Sequence, residues 1–268
     1  MMQTVILGIP SHIEQYGRPG EEVLLLHGWG KPVTLKRHLE PLALALAEDY
    51  HVTALEFPAH GQTGKPAEVW GVPEFAAWVK AAMEQLDLRH VTIVAHSFGG
   101  RVALWLAAKE PQLIRRLVLT GAAGLSRDKT PEEEAEALRY KKLQDRLSKL
   151  QSVPLLGRGV ESVQRTLRDR RSSQDYRDAD EDIKPSFVKI VGLNLRPILL
   201  EVGQPALLVW GDQDDATPLW MGQAMEKEMK DAALVVFEGR GHFAYLEELR
   251  RFVNLVKAFI GEDMKQRG

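Results

Sequence analysis

The chain has 268 residues, 44% hydrophobic and 27% charged, a mix that suits an ordinary soluble globular protein with room for one large α/β core. Its formal net charge of -2 offers no field for drawing in nucleic acid or an anionic membrane. It contains no cysteine, which excludes disulfides, thiolate metal ligands and a cysteine nucleophile. The opening stretch M-M-Q-T-V-I-L-G-I-P lacks the basic region and the apolar length of a signal peptide. No apolar run approaches the roughly 18 residues of a membrane span, so a cytoplasmic location is expected.

In chain order, weak strand signals at 4–8 and 11–16 are followed by short apolar runs at 23–26, 52–56, 91–95, 117–120, 206–210 and 234–237. Helical patterns lie at 35–48, 73–86, 99–109, 219–230 and 246–260. The strand runs are almost wholly apolar rather than alternating, which suits strands buried on both faces of a parallel sheet. Strand–helix repetition then predicts a doubly wound, mostly parallel α/β sheet. The rhythm breaks between 122 and 202. There Pro131 and the acids Glu132, Glu133 and Glu134 mark a helix start, and Leu143, Leu147 and Leu150 recur at helical spacing. The polar stretch R-D-R-R-S-S-Q-D-Y-R-D reads as a solvated face and loop. The block is expected to be a helical insertion, leaving 1–121 and 203–268 as the core.

The stretch A-H-S-F-G-G at 95–100 places Ser97 between an apolar run and a helix, crowded by small residues. In a nucleophile elbow of the form G-x-S-x-G, a serine occupies a strained turn and its small neighbours avoid collision with strand and helix. Ala95 stands at the first small position and Gly99 at the second. A serine hydroxyl needs a base, and the base needs a carboxylate. His96 is a poor base candidate, because successive side chains at such a turn point apart. His242, in F-E-G-R-G-H-F after the last strand, is the better one. The acid is expected from G-D-Q-D-D-A-T-P, where Asp212, Asp214 and Asp215 are all available.

Taken together, L-L-L-H-G-W-G (24–30), E-F-P-A-H-G-Q-T-G-K-P (56–66), A-H-S-F-G-G (95–100), W-G-D-Q-D-D-A-T-P (210–218) and G-R-G-H-F (239–243) resemble the α/β-hydrolase superfamily, over essentially the whole chain. The order Ser, Asp, His is that family's order. The resemblance implies an α/β-hydrolase fold with a helical cap at 122–202. It also implies Ser97 as nucleophile, His242 as base and Asp214 as acid, the last because Gly211 and Pro218 frame it as in G-x-x-D-x-x-x-P. Asp212 then becomes a turn residue. Backbone N–H groups of Trp29 and Phe98 are implied as the oxyanion hole, with His27, Trp29 and Phe98 at the substrate pocket and His27 and Gly28 shaping the loop. Ala59 and Thr63 depart from the family pattern and are assigned structural roles. The implied chemistry is carboxylic-ester hydrolysis of a small-molecule substrate through an acyl-enzyme, with no metal, cofactor, nucleic acid or membrane partner. The segments are similar to those of small carboxylesterases, including those acting on pimeloyl methyl ester, and to hydrolases that cut carbon–carbon bonds of ring-fission products. Lyase, acyltransferase and perhydrolase chemistry would use the same triad, and a non-catalytic ligand binder is the alternative of a different class.

Overall fold

The computed structural model describes residues 2–30, 33–127, 130–151 and 174–266. These form two compact units, Met1–Leu125 with Asp180–Gly268, and Ser126–Ala179.

The first unit is built on an eight-stranded sheet in the order β1-β2-β4-β3-β5-β6-β7-β8. The strands are β1 (Met2–Ile6), β2 (Ile9–Tyr16), β3 (Glu22–Leu26), β4 (His51–Leu55), β5 (Val91–His96), β6 (Ile114–Thr120), β7 (Ala206–Gly211) and β8 (Ala232–Phe237). β2 pairs antiparallel with β1 and β4, and every other pairing is parallel. The apolar runs have the expected physical cause, because successive residues serve opposite faces. Leu24, Leu26, Ile93, Ala95, Leu117, Leu119, Leu208 and Trp210 pack into one core layer with α2 (Val72–Gln85) and α3 (Phe98–Lys109). Their neighbours Val23, Leu25, Val94, Val118, Leu207 and Val209 pack into the other with α1 (Glu40–Leu46) and the C-terminal helix.

Several boundaries differ from the sequence reading. The strand expected at 4–8 is shifted to Met2–Ile6, and the one expected at 11–16 begins earlier, at Ile9. They meet at Leu7 and Gly8, both at positive φ (49° and 80°), which makes Gly8 part of a two-residue hairpin turn rather than a strand end. The helix expected at 35–48 is a wide turn at Leu35–Leu39 running into α1, whose Pro41 cannot donate to the preceding turn. The C-terminal helix breaks at Glu248.

The second unit contains α4 (Pro131–Gln151) and α5 (Gln174–Asp178). Its helix start at Pro131 lies where the sequence placed it. Part of the polar stretch, 168–173, lies outside the described residues. Residues 180–202, assigned from sequence to the insertion, group with the sheet. There α6 (Lys184–Gly192) contributes Ile190, the turn Arg196–Glu201 contributes Leu199, and Leu195, just before that turn, joins them in the core. The last helices are α7 (Trp220–Glu228), α8 (Ala244–Glu247) and α9 (Leu249–Gln266).

Candidate active site

Ser97 follows the last residue of β5 and precedes the first of α3, with φ 51° and ψ -113°. A non-glycine residue in that region stores roughly 1–3 kcal/mol of backbone strain, so the surroundings must hold it. They do so through Ser97 N–H, which donates to the Thr120 carbonyl at 3.2 Å, and the Ser97 carbonyl, which accepts from Gly100 and Ala123 at 3.0 Å each. Gly99 N–H donates to the His27 carbonyl at 3.0 Å. A Cβ on Gly99 would sit 2.6 Å from the Leu26 carbonyl oxygen and 2.8 Å from that of His27. The glycine after the serine is therefore required by the close passage of β3.

His242 lies in the loop between β8 and α8, and Asp214 in the loop after β7. His242 Nδ1 is 2.9 Å from Asp214 Oδ2. The Asp214 side chain is fully buried and held by three further hydrogen bonds. Its Oδ1 accepts from the N–H of Ala216 (3.0 Å) and Thr217 (2.8 Å), and its Oδ2 lies 2.8 Å from the Thr217 hydroxyl. A carboxylate facing Nδ1 makes that nitrogen the donor and leaves Nε2 with a free lone pair, the tautomer a general base needs. Asp212 instead accepts from Gly239 N–H at 2.7 Å, and Asp215 is exposed. Gly121, at φ 48°, lets β6 end against this pair, since a Cβ there would lie 3.1 Å from Asp214 Oδ2 and 3.2 Å from His242 Nδ1.

The residue before Ser97 ties the two halves together. His96 Nε2 donates to the His242 carbonyl at 3.0 Å, and the two rings lie 4.6 Å apart. Burial, followed by the nearby His242, pushes the His96 pKa far below the usual imidazole range, so it is a neutral strut. Among the described residues no hydrogen bond joins the Ser97 hydroxyl to His242.

On the other side, the H-G-W-G loop is held by two buried neutral imidazoles. His27 accepts from Phe57 N–H at 2.9 Å through Nε2, so its Nδ1 carries the proton and donates to the Gly28 carbonyl at 2.6 Å. His60 accepts from Gly30 N–H at 3.3 Å through Nε2 and donates to the Pro58 carbonyl at 3.1 Å through Nδ1. Burial pushes the His27 pKa far down and takes that of His60 to about 4. A trans peptide points its C=O and N–H in opposite directions. The bond from His27 to the Gly28 carbonyl therefore aims the Trp29 N–H away from His27. Among the described residues neither Trp29 N–H nor Phe98 N–H has a hydrogen-bond partner. His27 itself, expected also at the pocket, is 0% exposed with both ring nitrogens engaged, so it sets the loop's shape and offers no surface. The Trp29 ring is partly exposed and packs against His60, Phe75, Phe98 and Phe187 at centroid distances of 4.9, 6.1, 5.2 and 5.6 Å.

A family model for the alpha/beta hydrolase fold matches residues 22–249. The chain belongs to this family. The α/β hydrolase is 29% identical over 265 residues to a pimeloyl-[acyl-carrier protein] methyl ester esterase of Neisseria meningitidis, covering 90% of this chain and 93% of the relative. It is 26% identical over 263 residues to a 2-hydroxy-6-oxo-2,4-heptadienoate hydrolase of Pseudomonas putida, covering 96% and 94%. The structure of a meta-cleavage product hydrolase from Pseudomonas fluorescens superposes with a TM-score of 0.73 at 22% identity, covering 98% of each chain, and shows the same fold. The family and these relatives support hydrolase activity. Among the described residues no helix is long and apolar enough to cross a membrane, and no group of three His, Asp or Glu side chains is placed to hold a metal ion.

Three contributors to the α/β hydrolase's site escaped the sequence reading. Thr217 carried a signal, since it sits in D-x-x-T-P one residue before the Pro218 that singled out Asp214. The signal for His96 was adjacency to Ser97, which ruled it out as base and hid its part in holding the His242 loop. Phe187 had none, because nothing in its own segment tells which aromatic it will meet.

Proposed function

We propose that this α/β hydrolase is a serine hydrolase that cleaves carboxylic esters of small to medium substrates. Ser97 attacks the acyl carbonyl while His242 Nε2 takes its proton, and Asp214 orients the ring and stabilises the imidazolium. The negative charge that develops on the carbonyl oxygen is met by the N–H groups of Trp29 and Phe98, each such donor being worth about 10²–10³ in rate. His242 then protonates the leaving alcohol, and a water activated by His242 releases the acid from the acyl-enzyme. The observation that carries this reading is the His242–Asp214 hydrogen bond, braced by His96 next to a strained serine turn, with the N–H groups of Trp29 and Phe98 both without a hydrogen-bond partner among the described residues. Carbon–carbon bond hydrolysis of a ring-fission product is the second reading, favoured by the near-complete coverage of the heptadienoate hydrolase.

The test is turnover of p-nitrophenyl esters from acetate to dodecanoate by wild type and Ser97→Ala. The expected loss of kcat in the variant is on the order of 10⁴–10⁶. Undiminished turnover in Ser97→Ala would remove this serine from the reaction. No ester turnover by folded wild type, with turnover of a ring-fission dienoate, would replace the first reading by the second.

A further inference from the structure

Arg101 lies on α3, one turn beyond Ser97, and is only 9% exposed. Burial pulls its pKa down to about 10, so it still carries its charge at neutral pH. Among the described residues no carboxylate pairs with it. Taking a cation out of water without a counter-ion is costly, and such a group persists only where strong acceptors meet it. Its acceptors are two carbonyls at the C-terminal end of α6, where backbone dipoles leave partial negative charge. Arg101 Nη1 donates to Ile190 at 3.1 Å and to Leu193 at 2.9 Å.

That end of α6 matters because of what lies one turn back. Phe187 and Ile190 are three residues apart, on one helix face, and both are buried. The Phe187 ring packs on Trp29, whose own ring packs on Phe98. These are the two residues whose N–H groups are the candidate oxyanion donors. The flank of α6 toward α2 is held separately. Trp70 N–H donates to the Ser186 hydroxyl at 3.0 Å, and Lys189 pairs with Glu74 at 2.7 Å. Arg101 is thus the fastening between α6 and the helix that begins at the nucleophile.

We propose that Arg101 is a positioning residue. It locks α6 so that Phe187 closes the aromatic wall over the oxyanion donors, and through Phe187 it sets which acyl chains fit. The selectivity half of this proposal rests on the ester reading above, whereas the fastening of α6 does not.

The experiment compares wild type with Arg101→Met, Arg101→Lys, Phe187→Ala and the double variant Arg101→Met/Phe187→Ala. Two readouts are taken, p-nitrophenyl ester kinetics and amide hydrogen exchange. In exchange, Arg101→Met is expected to speed the amides of 184–193 by about ten-fold while the sheet keeps its protection. In kinetics, Arg101→Met and Phe187→Ala are each expected to change the hexanoate-to-acetate ratio of kcat/KM by about five-fold in the same direction, chiefly through KM, with the double variant no further changed than either single. Arg101→Lys, which keeps the charge, is expected to recover much of the wild-type ratio, and it carries the test if Arg101→Met does not fold. Unchanged exchange in α6 would overturn the fastening. Multiplying effects in the double variant, or an unchanged ratio, would overturn the action through Phe187. If wild type hydrolyses no ester, the ester reading fails and the exchange result alone decides whether Arg101 holds α6.

Discussion

Two regions at the same edge of the sheet use histidine in opposite ways. In the loops 27–30 and 56–60, His27 and His60 are buried, neutral and bound only to backbone groups. Each donates from Nδ1 to a carbonyl and accepts a peptide N–H at Nε2, so each is a fixed neutral tautomer that shapes a loop. In the loops after β7 and β8, His242 faces the carboxylate of Asp214. That partner fixes the ring proton on Nδ1, and among the described residues the opposite nitrogen has no hydrogen-bond partner. The comparison teaches that the partner of Nδ1 sets the tautomer and the place in the fold sets its use. His12 and His51 also face carboxylates at Nδ1, Glu56 at 3.0 Å and Glu22 at 2.8 Å, but they stand on β2 and β4. In the reading proposed above, the carboxylate facing His242 readies it as the base, whereas the carbonyls facing His27 and His60 make struts.

The strongest way to break this contrast is to give His242 a different partner. In Asp214→Asn, the Oδ1 position still faces two N–H donors, so the amide oxygen belongs there and the NH₂ falls opposite His242 Nδ1. An NH₂ group forces Nδ1 to accept, which moves the ring proton to Nε2 and removes the base. Turnover of a p-nitrophenyl ester is expected to drop about 10⁴-fold, or roughly 5.5 kcal/mol in the barrier. Thermal unfolding should change little, because the loop's hydrogen bonds survive. A variant retaining more than about a tenth of wild-type kcat would mean that the tautomer does not matter.

Acid probes the other region. In the folded protein burial holds His60 to about 4, against an ordinary value of 6.5. The unfolded chain therefore takes up a proton at a pH where the folded chain does not. The contribution is whole above pH 6.5, is lost progressively as pH falls from 6.5 toward about 4, and falls no further below that. The total is roughly 3 kcal/mol for this one group. Urea unfolding across that window should show a steep loss of stability, and His60→Gln should flatten the slope. An unchanged slope in the variant would mean that His60 titrates normally in the fold.

The difference between the regions also explains what could be read in advance. Strands buried on both faces leave unbroken apolar runs, so the parallel sheet was legible, as were the elbow and the loops that end its strands. Ser97 and His242 could be named as candidates because nucleophile chemistry restricts which residue types serve at those strand ends, whereas Asp214 was separated from Asp212 and Asp215 only by the family resemblance framed by Gly211 and Pro218. The tautomers of His27 and His60 were not, since they depend on Phe57 and Gly30 N–H groups brought in from about thirty residues away. The same holds for Arg101, whose acceptors are carbonyls some ninety residues on. Backbone carbonyls carry no signature in a sequence. Hairpin and helix boundaries slipped where one residue, Gly8 or Pro41, outweighed the periodicity around it.

The finest test of the contrast concerns Thr217. Its hydroxyl lies 2.8 Å from Asp214 Oδ2, 2.8 Å from the Gly121 carbonyl and 3.2 Å from His242 Nδ1. It has a single proton to share between two acceptors, so it steadies the carboxylate without being able to replace it. Thr217→Val keeps the shape and the N–H bond to Oδ1 but removes the hydroxyl. The carboxylate then keeps His242 and its two backbone donors, and the correct tautomer persists. The expected cost is about ten-fold in kcat, near 1.4 kcal/mol, with Thr217→Ser restoring most of it. A loss as large as that of Asp214→Asn would move Thr217 from steadying the acid to setting the tautomer itself, and the job of His242 would then depend on two Nδ1 partners rather than one.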